Sequence, residues 1–363
     1  MPARTTLIIG TRRGLFRVHG EGDHWRIDPP SIEGHEILHV CAHPRNPRRL
    51  YAAANHLVWG AHIYVSRDGG DHWSTLASAP RPGCAEGGVD LKAIWHLSWS
   101  PDGHTLYAGI DPAGLFTSTD EGESWTAVTT LNQHPTRAAW EPSKGIFAVH
   151  SVCIDPLAPQ TLYAAISAGG VFRSEDGGAS WHAANRGVRA ENLPGDAPEA
   201  GHNVHRLVMH PAAPQRLYRQ CYNGVYRSDD GARSWVEITA DVPSDYGFAI
   251  AVDPLNPDTV FRIPMSNSHM RATVDGRLRV YRSEDAGQHW RNTSNGLPQE
   301  NAYIGVLREA LATSRSEDCG VYFGTSGGHL FASRDGGDHW RQVAGFLPPI
   351  SSVLALPSPA QAN

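Results

Sequence analysis

Apolar and polar residues alternate along the chain in short runs separated by turn-forming residues, which is the pattern of β-strands rather than of helices. The clearest example begins with the apolar run Val149–Ile154 and continues with runs at residues 161–165 and 171–173. A fourth strand begins at Trp181. We label these predicted strands A, B, C and D. The rest of the chain repeats the same order, so the sequence predicts a series of four-stranded units.

An eight-residue motif of the form Ser-x-Asp-x-Gly-x-x-Trp recurs between strands C and D. An Asp carboxylate can accept hydrogen bonds from the backbone of its own loop, Gly allows a positive φ, and Trp buries a large ring. The motif therefore predicts the turn of a β-hairpin. The copies are residues 66–73, 118–125, 174–181, 228–235, 283–290 and 333–340, and Ala232 replaces the Gly in the fourth.

This motif resembles the Asp-box, or BNR, repeat, and the resemblance extends over nearly the whole chain. It implies a β-propeller of the sialidase-like, WD40-YVTN-BNR-like superfamily. Similar propellers include sialidases, xyloglucan-degrading hydrolases, sortilin-type receptors and photosystem II assembly factors. Because these proteins share a scaffold and differ in activity, the repeat alone does not select a function.

The two ends of the chain are complementary parts of one further unit. Residues 7–9 and 15–17 match strands B and C, and strand D follows a degenerate motif ending at Trp25, whereas Ile350–Leu356 matches strand A alone. Pairing the ends closes the ring and removes exposed sheet edges. We therefore expect one domain, residues 1–363, folded as an all-β, seven-bladed propeller. The motif tryptophans, one per blade, are Trp25, Trp73, Trp125, Trp181, Trp235, Trp290 and Trp340.

Composition narrows the possible partners and the compartment. The formal net charge is −6 without a basic stripe, which disfavours nucleic acid, and no apolar run is long enough to cross a membrane. The first residues carry too short an apolar run for a signal peptide, and the five cysteines are an odd number without close pairs. We therefore expect a cytoplasmic protein with reduced thiols.

The irregular insertions all fall in the D–A and B–C connections, which propeller topology places on one face. Loops on a rigid scaffold commonly carry function, so this loop-rich face is the predicted site. The insertions are residues 79–93, 129–148, 186–204 and 298–302 between D and A, and residues 55–61 and 265–278 between B and C.

Four histidines stand near the start of strand A in consecutive predicted blades: His39, His96, His150 and His205. Strand A is innermost, so these side chains are expected near the central channel. His39 and His96 precede a proline by five residues, whereas His150 and His205 precede one by six. Because side chains alternate along a strand, a bulge or a different turn length must reconcile the two spacings.

The functional interpretation is a divalent transition metal (Zn, Fe, Mn or Cu) held by these four imidazoles, with an open position for water or substrate. Glu36 and His202 precede two of the inner strands and are candidates for a general base or for a partner that orients a ligand. The sequence thus predicts a metal-dependent hydrolytic or lytic enzyme acting on a small molecule. The alternative is a lattice of neutral histidines around a water-filled channel, or a site for an anionic ligand.

Further loop residues could complete such a site. They are His35, His56, His62, Asp90, His134, Glu141, Asp245, Tyr246, His269, Glu300 and Tyr303.

Two other functions stay open. Residues 261–264 resemble the Phe/Tyr-Arg-Ile-Pro motif of sialidases, and Arg219 and Arg308 could join Arg262 in binding a carboxylate. In sialidases that motif comes before the repeats, whereas here it follows four of them. A non-catalytic binding or assembly propeller, similar to the photosystem factors, is the second alternative. Glycoside hydrolysis would further require two carboxyl groups at a defined separation.

Overall fold

The computed structural model describes residues 4–82, 90–140, 146–189, 198–315 and 319–357. These residues form β-strands with only three short helical segments: α1 (Thr129–Asn132) and two 3-10 turns at Pro135–Ala139 and Val274–Gly276. The all-β prediction is confirmed. No helix in the described ranges has the length and apolar character needed to cross a membrane.

The strands form seven four-stranded antiparallel sheets, which are the blades of a seven-bladed β-propeller. In chain order, blade 1 contains β28 (Ile350–Leu356), β1 (Arg4–Thr11), β2 (Gly14–Glu21) and β3 (His24–Ile27), and blade 2 contains β4 (Glu36–His43), β5 (Asn46–His56), β6 (Gly60–Ser66) and β7 (Ser74–Thr75). Blade 3 contains β8 (Ala93–Trp99), β9 (Leu106–Asp111), β10 (Gly114–Ser118) and β11 (Thr126–Ala127), and blade 4 contains β12 (Val149–Ile154), β13 (Leu162–Ile166), β14 (Gly170–Ser174) and β15 (His182–Ala183).

The remaining three blades follow the same order of strands A to D. Blade 5 contains β16 (Val204–His210), β17 (Ala213–Cys221), β18 (Gly224–Ser228) and β19 (Val236–Glu237). Blade 6 contains β20 (Gly247–Val252), β21 (Val260–Pro264), β22 (Tyr281–Ser283) and β23 (Arg291–Asn292). Blade 7 contains β24 (Leu311–Ser314), β25 (Gly320–Gly324), β26 (Leu330–Ser333) and β27 (Arg341–Ala344).

Blade 1 joins the two ends of the chain as predicted. The C-terminal strand β28 supplies strand A and pairs antiparallel with β1, placing Val353 opposite Ile9. On its other side β1 pairs with β2, where Ile9 is opposite Phe16. The Ser351 hydroxyl adds a hydrogen bond of 3.1 Å to the Gly10 carbonyl. The N- and C-terminal segments are therefore held in one sheet by ladder hydrogen bonds.

Backbone packing groups the chain into two compact units. Residues 1–40, 222–225 and 238–363 form the first unit, and residues 41–221 and 226–237 form the second. Each unit has its own apolar core, which includes Phe323 in the first and Phe172 in the second. The assignment of residues 1–363 to a single domain stays a prediction.

The recurring motif forms the turn between strands C and D, as predicted. In the blade 4 copy, Asp176 accepts bonds from the Ser174 hydroxyl at 2.8 Å and from the backbone N–H and the hydroxyl of Ser180 at 2.9 and 2.6 Å. Gly178 donates its N–H to Ser174 Oγ at 2.8 Å with a φ of 95°. Ala232 makes the corresponding bond with a φ of 64°, so the one Gly replacement keeps the turn at the cost of a left-handed alanine.

The motif tryptophans of blades 5, 6 and 7 connect neighbouring blades as well as locking their own turn. Trp235 Nε1 donates to the carbonyl of Ala184, which follows strand D of the preceding blade, at 2.8 Å. Trp340 bonds to the carbonyl of Thr293 in the same manner at 2.6 Å. Each of these rings is buried, so the motif contributes both a turn and an interface between blades.

Protonation of the motif carboxylates is expected to weaken the turns. Hydrogen bonds from Ser180 and Ser174 lower the pKa of Asp176 to about 2 from an ordinary 3.8. A depressed folded-state pKa contributes stability above the unfolded pKa, and this contribution disappears as the pH falls through the folded value. Asp176→Asn should therefore lower the melting temperature at pH 7, and the difference from wild type should shrink between about pH 4 and pH 2.

Thermal unfolding followed by circular dichroism measures this effect. Glu123→Gln, at an exposed position of another motif copy, serves as the control and should change little at either pH. If Asp176→Asn lowers the melting temperature by the same amount at pH 2 and at pH 7, the assigned role of the Asp176 carboxylate is contradicted.

The described cysteines are free thiols: Cys41, Cys153, Cys221 and Cys319. Cys84 lies outside the described residues, as does Glu141. The cytoplasmic location expected from the cysteine content stays a prediction.

Candidate active site

The start of strand A carries a β-bulge that separates the histidines into two sets. In β8 the ladder skips Trp95 between Ile94 and His96. In β12 and β16 it skips His150 and His205 in the same way. His150 and His205 are therefore the structural equivalents of Trp95, and His96 lies one residue further along its strand. This difference explains the unequal spacing to the following prolines.

His39 lies on β4 in the first compact unit. Its ring is buried, and Nε2 is 3.5 Å from the carboxylate Oε2 of Glu309, which is also buried. A carboxylate in this position stabilises a protonated imidazole and orients a neutral one. The sequence did not single out Glu309, because it precedes strand β24 in a blade without a histidine at that point.

The other three predicted metal ligands, His96, His150 and His205, are buried in the second unit. His150 Nε2 donates to the Val204 carbonyl at 2.9 Å, and Nδ1 lies 3.1 Å from the Ser151 hydroxyl. Both ring nitrogens are engaged, so metal binding by His150 would require one of these bonds to break. The four-histidine metal set stays a prediction.

The two predicted catalytic residues lie in different environments. Glu36 is partly exposed, and its Oε1 is 3.4 Å from Arg12 Nε. His202 is buried, and burial lowers its pKa to about 4, while Nε2 donates to the Pro198 carbonyl at 2.8 Å. A histidine with this pKa is neutral near pH 7 and is a weak base there. Catalytic roles for Glu36 and His202 stay predictions.

The arginines considered for a sialidase-like clamp are mostly structural. Arg219 and Arg262 are fully buried. Arg219 lies 5.2 Å from the Trp235 ring and donates to Asn185 Oδ1 at 2.9 Å, whereas Arg262 donates to the Ser244 carbonyl at 3.1 Å. Neither guanidinium is accessible to a ligand, so residues 261–264 do not provide a sialidase-type carboxylate site.

Asp111 in blade 3 is a candidate catalytic residue that sequence reasoning missed. It ends β9 at the first position of the B–C turn, and only 5% of its surface is exposed. Its Oδ1 atom is buried and accepts no hydrogen bond from a described residue. A buried carboxylate oxygen without a donor favours the protonated carboxylic acid.

The surroundings of Asp111 explain the direction of its pKa. Burial raises the pKa above the ordinary value of 3.8, whereas the Lys92 ammonium, the backbone N–H of Phe147 and the Trp95 side chain oppose the rise. Lys92 also donates its backbone N–H to the Asp111 carbonyl at 2.8 Å, which fixes the start of the turn. The net result is a carboxyl group that holds its proton more strongly than an exposed aspartate.

Aromatic and cationic side chains support the turn that carries Asp111. Arg137 donates to the Ala113 carbonyl at 2.9 Å, and its guanidinium lies 5.3 Å from the ring centroids of both Trp140 and Phe147. Burial lowers the pKa of Arg137 below its usual value. Arg137 therefore links the turn that carries Asp111 to the aromatic rings of Trp140 and Phe147.

A pocket of about 450 Å³ lies on the loop-rich face of the second unit, lined by the start of β6, the segment after β7 and the segment before β8, and Asp111 is not among its lining residues. Polar groups from Ser78, Arg81 and Asp90 line it together with His62. Asp90 and Leu91, which also lines the pocket, lead directly into Lys92 and its backbone bond to Asp111. The pocket and the buried acid are therefore connected through three consecutive residues.

The sequence holds only a weak signal for Asp111. In blades 4, 6 and 7 the residue at the position of Asp111 is Ser167, Met265 and Ser326, respectively. Like Asp111, each of these residues is joined by a backbone hydrogen bond to the segment that precedes strand A of its blade. A comparison of the B–C turns would have shown that blade 3 differs by carrying a carboxylate. The burial that gives this difference chemical meaning appears only in the fold.

No family model matches this chain. An oligoxyloglucan-reducing end-specific xyloglucanase from Emericella nidulans is 25% identical over 319 residues, covering 77% of this chain. The chain spans 38% of the length of that relative. The chain is thus similar to part of a longer xyloglucan-degrading enzyme.

Solved structures are similar in fold. YCF48 bound to a D1 peptide matches with a TM-score of 0.58 and 17% identity, covering 90% of this chain and 93% of that chain. The GH74 enzyme from Niastella koreensis matches with a TM-score of 0.55 and 16% identity, covering 98% and 68%. At these identities the structural likeness shows the propeller fold alone.

The xyloglucanase relatives correct the expected function. The histidine pattern led us to expect a metal-dependent hydrolytic or lytic enzyme acting on a small molecule, whereas the relatives are hydrolases of xyloglucan, a polysaccharide. That expectation is wrong in both its metal dependence and its substrate. The spacing of the histidines does not reveal such environments as that of His150, which is buried with both ring nitrogens engaged in hydrogen bonds.

Proposed function

We propose that this chain is a glycoside hydrolase acting on xyloglucan or a related oligosaccharide, with Asp111 as the general acid. The observation that carries the proposal is the buried carboxyl of Asp111, whose pKa is raised by burial and whose turn is bonded through the backbone of Lys92 to the segment holding the pocket-lining Asp90. Similarity to xyloglucanases supports the choice of substrate class. A general acid must be protonated to donate a proton to the departing sugar oxygen, and a raised pKa provides that state.

Asp90 is assigned the role of the second carboxyl group. It lines the pocket and is exposed to solvent, in contrast to Asp111. An ionised carboxylate at the pocket wall can activate a water molecule or attack the anomeric carbon, depending on its separation from the acid. Because Asp111 Oδ1 is itself buried, substrate binding must open the packing above it before the proton can be transferred.

The proposal is tested by incubating the purified full chain with xyloglucan and measuring new reducing ends. Hydrolysis that persists in the presence of a metal chelator supports carboxylate catalysis. Binding of xyloglucan without hydrolysis would contradict the enzymatic proposal and identify the chain as a binding module instead. Asp90→Asn separates the two roles, since hydrolysis retained in that variant would reject Asp90 while leaving the assignment of Asp111 intact.

Lys92 is expected to set the pH at which activity is lost. Its ammonium lowers the pKa of Asp111, so Lys92→Met should raise that pKa further. Activity requires protonated Asp111 and falls as the pH rises through its pKa. The alkaline limb of the pH–rate profile should therefore move to higher pH in Lys92→Met.

The same profile in concentrated salt provides the control for this prediction. Lys92 is exposed, and at about 1 M salt the screening length is only about 3 Å, so the difference between variant and wild type should shrink. Identical alkaline limbs at low salt would contradict the assigned electrostatic link between Lys92 and Asp111.

A further inference from the structure

The hairpin between β5 and β6 carries an unusual apolar tip. The ladder continues to the last pair, His56 opposite Gly60, leaving a three-residue turn. All three turn residues are large and apolar, and they are highly exposed, with relative exposures of 101% for Leu57, 72% for Val58 and 71% for Trp59. Tight hairpin turns normally favour Gly, Asn and Asp, so this sequence is not explained by turn formation.

His56 holds the tip in one conformation. Its Nδ1 atom accepts the backbone N–H groups of Val58 at 3.1 Å and of Trp59 at 3.2 Å. The His56 ring also stacks on the Trp59 indole, with centroids 6.2 Å apart and an interplanar angle of 29°. The indole is therefore positioned before any ligand arrives, which reduces the entropy lost on binding.

The base of the same hairpin forms one wall of the pocket described above. Ala61 and His62, which follow the tip after Gly60, line the pocket together with Ser78, Arg81 and Asp90. The hairpin thus carries an exposed apolar ring at its tip and, two residues further along, part of a pocket lined by hydrogen-bonding groups. A pyranose ring has the complementary chemistry, because its axial C–H groups form an apolar face and its hydroxyls project from the edge.

We propose that Trp59 is a sugar-stacking platform that binds a neutral pyranose unit of an oligosaccharide chain entering the pocket. The choice of an oligosaccharide as ligand rests on the proposed function. The assignment of Trp59 as a platform rests on the contacts that His56 makes with the backbone and the indole of the tip. The indole supplies a flat apolar surface, and the pocket groups accept and donate hydrogen bonds to the sugar hydroxyls. Val58 and Leu57 extend the tip but have no ring to stack on a sugar.

The test is calorimetric titration of a xyloglucan oligosaccharide into the full-length Asp111→Asn protein, which keeps the ligand intact. Trp59→Ala in that background should weaken binding by at least about tenfold, equivalent to roughly 1.4 kcal/mol. Trp59→Phe, which keeps an aromatic face, should recover part of the loss. Leu57→Ser is the matched control from the same turn and should bind with unchanged affinity.

Two outcomes would overturn the platform. The first is an unchanged affinity for the oligosaccharide in Trp59→Ala. The second is a loss of affinity in Leu57→Ser equal to that in Trp59→Ala, because it would indicate that the tip is a general apolar docking surface for a protein partner. The failure of the proposed function is a separate result. If wild-type protein fails to hydrolyse xyloglucan but binds the oligosaccharide in a Trp59-dependent manner, the platform stands and the catalytic proposal falls.

Discussion

Asp111→Asn is expected to reduce the hydrolysis of xyloglucan by about 100- to 10,000-fold, the range typical for loss of a general acid. Asparagine has nearly the same shape as aspartic acid, but its amide N–H is too weak an acid to protonate the leaving group. The effect should appear in kcat more than in KM, since the proton transfer occurs in the transition state. Reducing-end release under saturating substrate measures the loss directly.

Asp102→Asn provides the matched control in the same blade. Asp102 lies in the A–B turn, where it accepts a hydrogen bond from the Ser100 hydroxyl at 2.5 Å, on the face opposite to the B–C turn. This variant should retain wild-type activity. Equal losses in the two variants would show that the effect arises from disturbing the blade and would contradict a chemical role for Asp111.

The largest loss of stability is expected for Trp235→Ala, about 3–5 kcal/mol in the free energy of unfolding. The indole is 97% removed from solvent, with 3% exposed, and its Nε1 bonds to the Ala184 carbonyl of the preceding blade. Removing the indole leaves a cavity and leaves the Ala184 carbonyl without its hydrogen bond from Trp235. The substitution also removes the aromatic ring that lies next to the buried Arg219 guanidinium. Chemical denaturation followed by circular dichroism measures the difference.

Trp59→Ala controls for the loss of a tryptophan as such. Trp59 is exposed at a hairpin tip, so its removal should change the free energy of unfolding by no more than about 0.5 kcal/mol. A loss below about 1 kcal/mol for Trp235→Ala would contradict the view that Trp235 holds blades 4 and 5 together.

Much of the fold could be predicted from the sequence because its determinants are local and repeated. Strand β12 begins and ends where the apolar run Val149–Ile154 does, and the motif turns form where Ser, Asp and Trp recur at fixed spacing. The pairing of β28 with β1 could also be predicted, since each terminal segment lacks the strands that the other supplies. These features depend on alternation and turn chemistry, which one sequence displays directly.

The histidine site could not be predicted in the same way, because it depends on strand register. The bulge in strand A makes His150 and His205 equivalent to Trp95 rather than to His96. A one-residue shift changes the face on which a side chain projects. The spacing to the following proline indicates two sets of histidines. Only the backbone pairing shows which residue of each strand is the bulged residue, without a partner in the ladder.

Asp111 was missed for a different reason. It lies outside the repeated motif, and its one signal in the sequence is that the corresponding turn positions of blades 4, 6 and 7 carry no carboxylate. Its chemical character comes from burial and from Lys92 and Phe147, which the fold brings beside it from two separate segments. Such environments result from tertiary packing, so the direction in which the pKa of Asp111 shifts could not be predicted from the sequence.

The role of Asp111 as proton donor is tested most directly by an NMR titration of its side-chain carboxyl in protein labelled with 13C-aspartate, with Asp111→Asn used for assignment. We expect a titration midpoint that lies above the ordinary aspartate pKa of 3.8 and coincides with the alkaline limb of xyloglucan hydrolysis. A midpoint at or below 3.8 would show that Asp111 is ionised when the enzyme works, and would contradict its role as the proton donor.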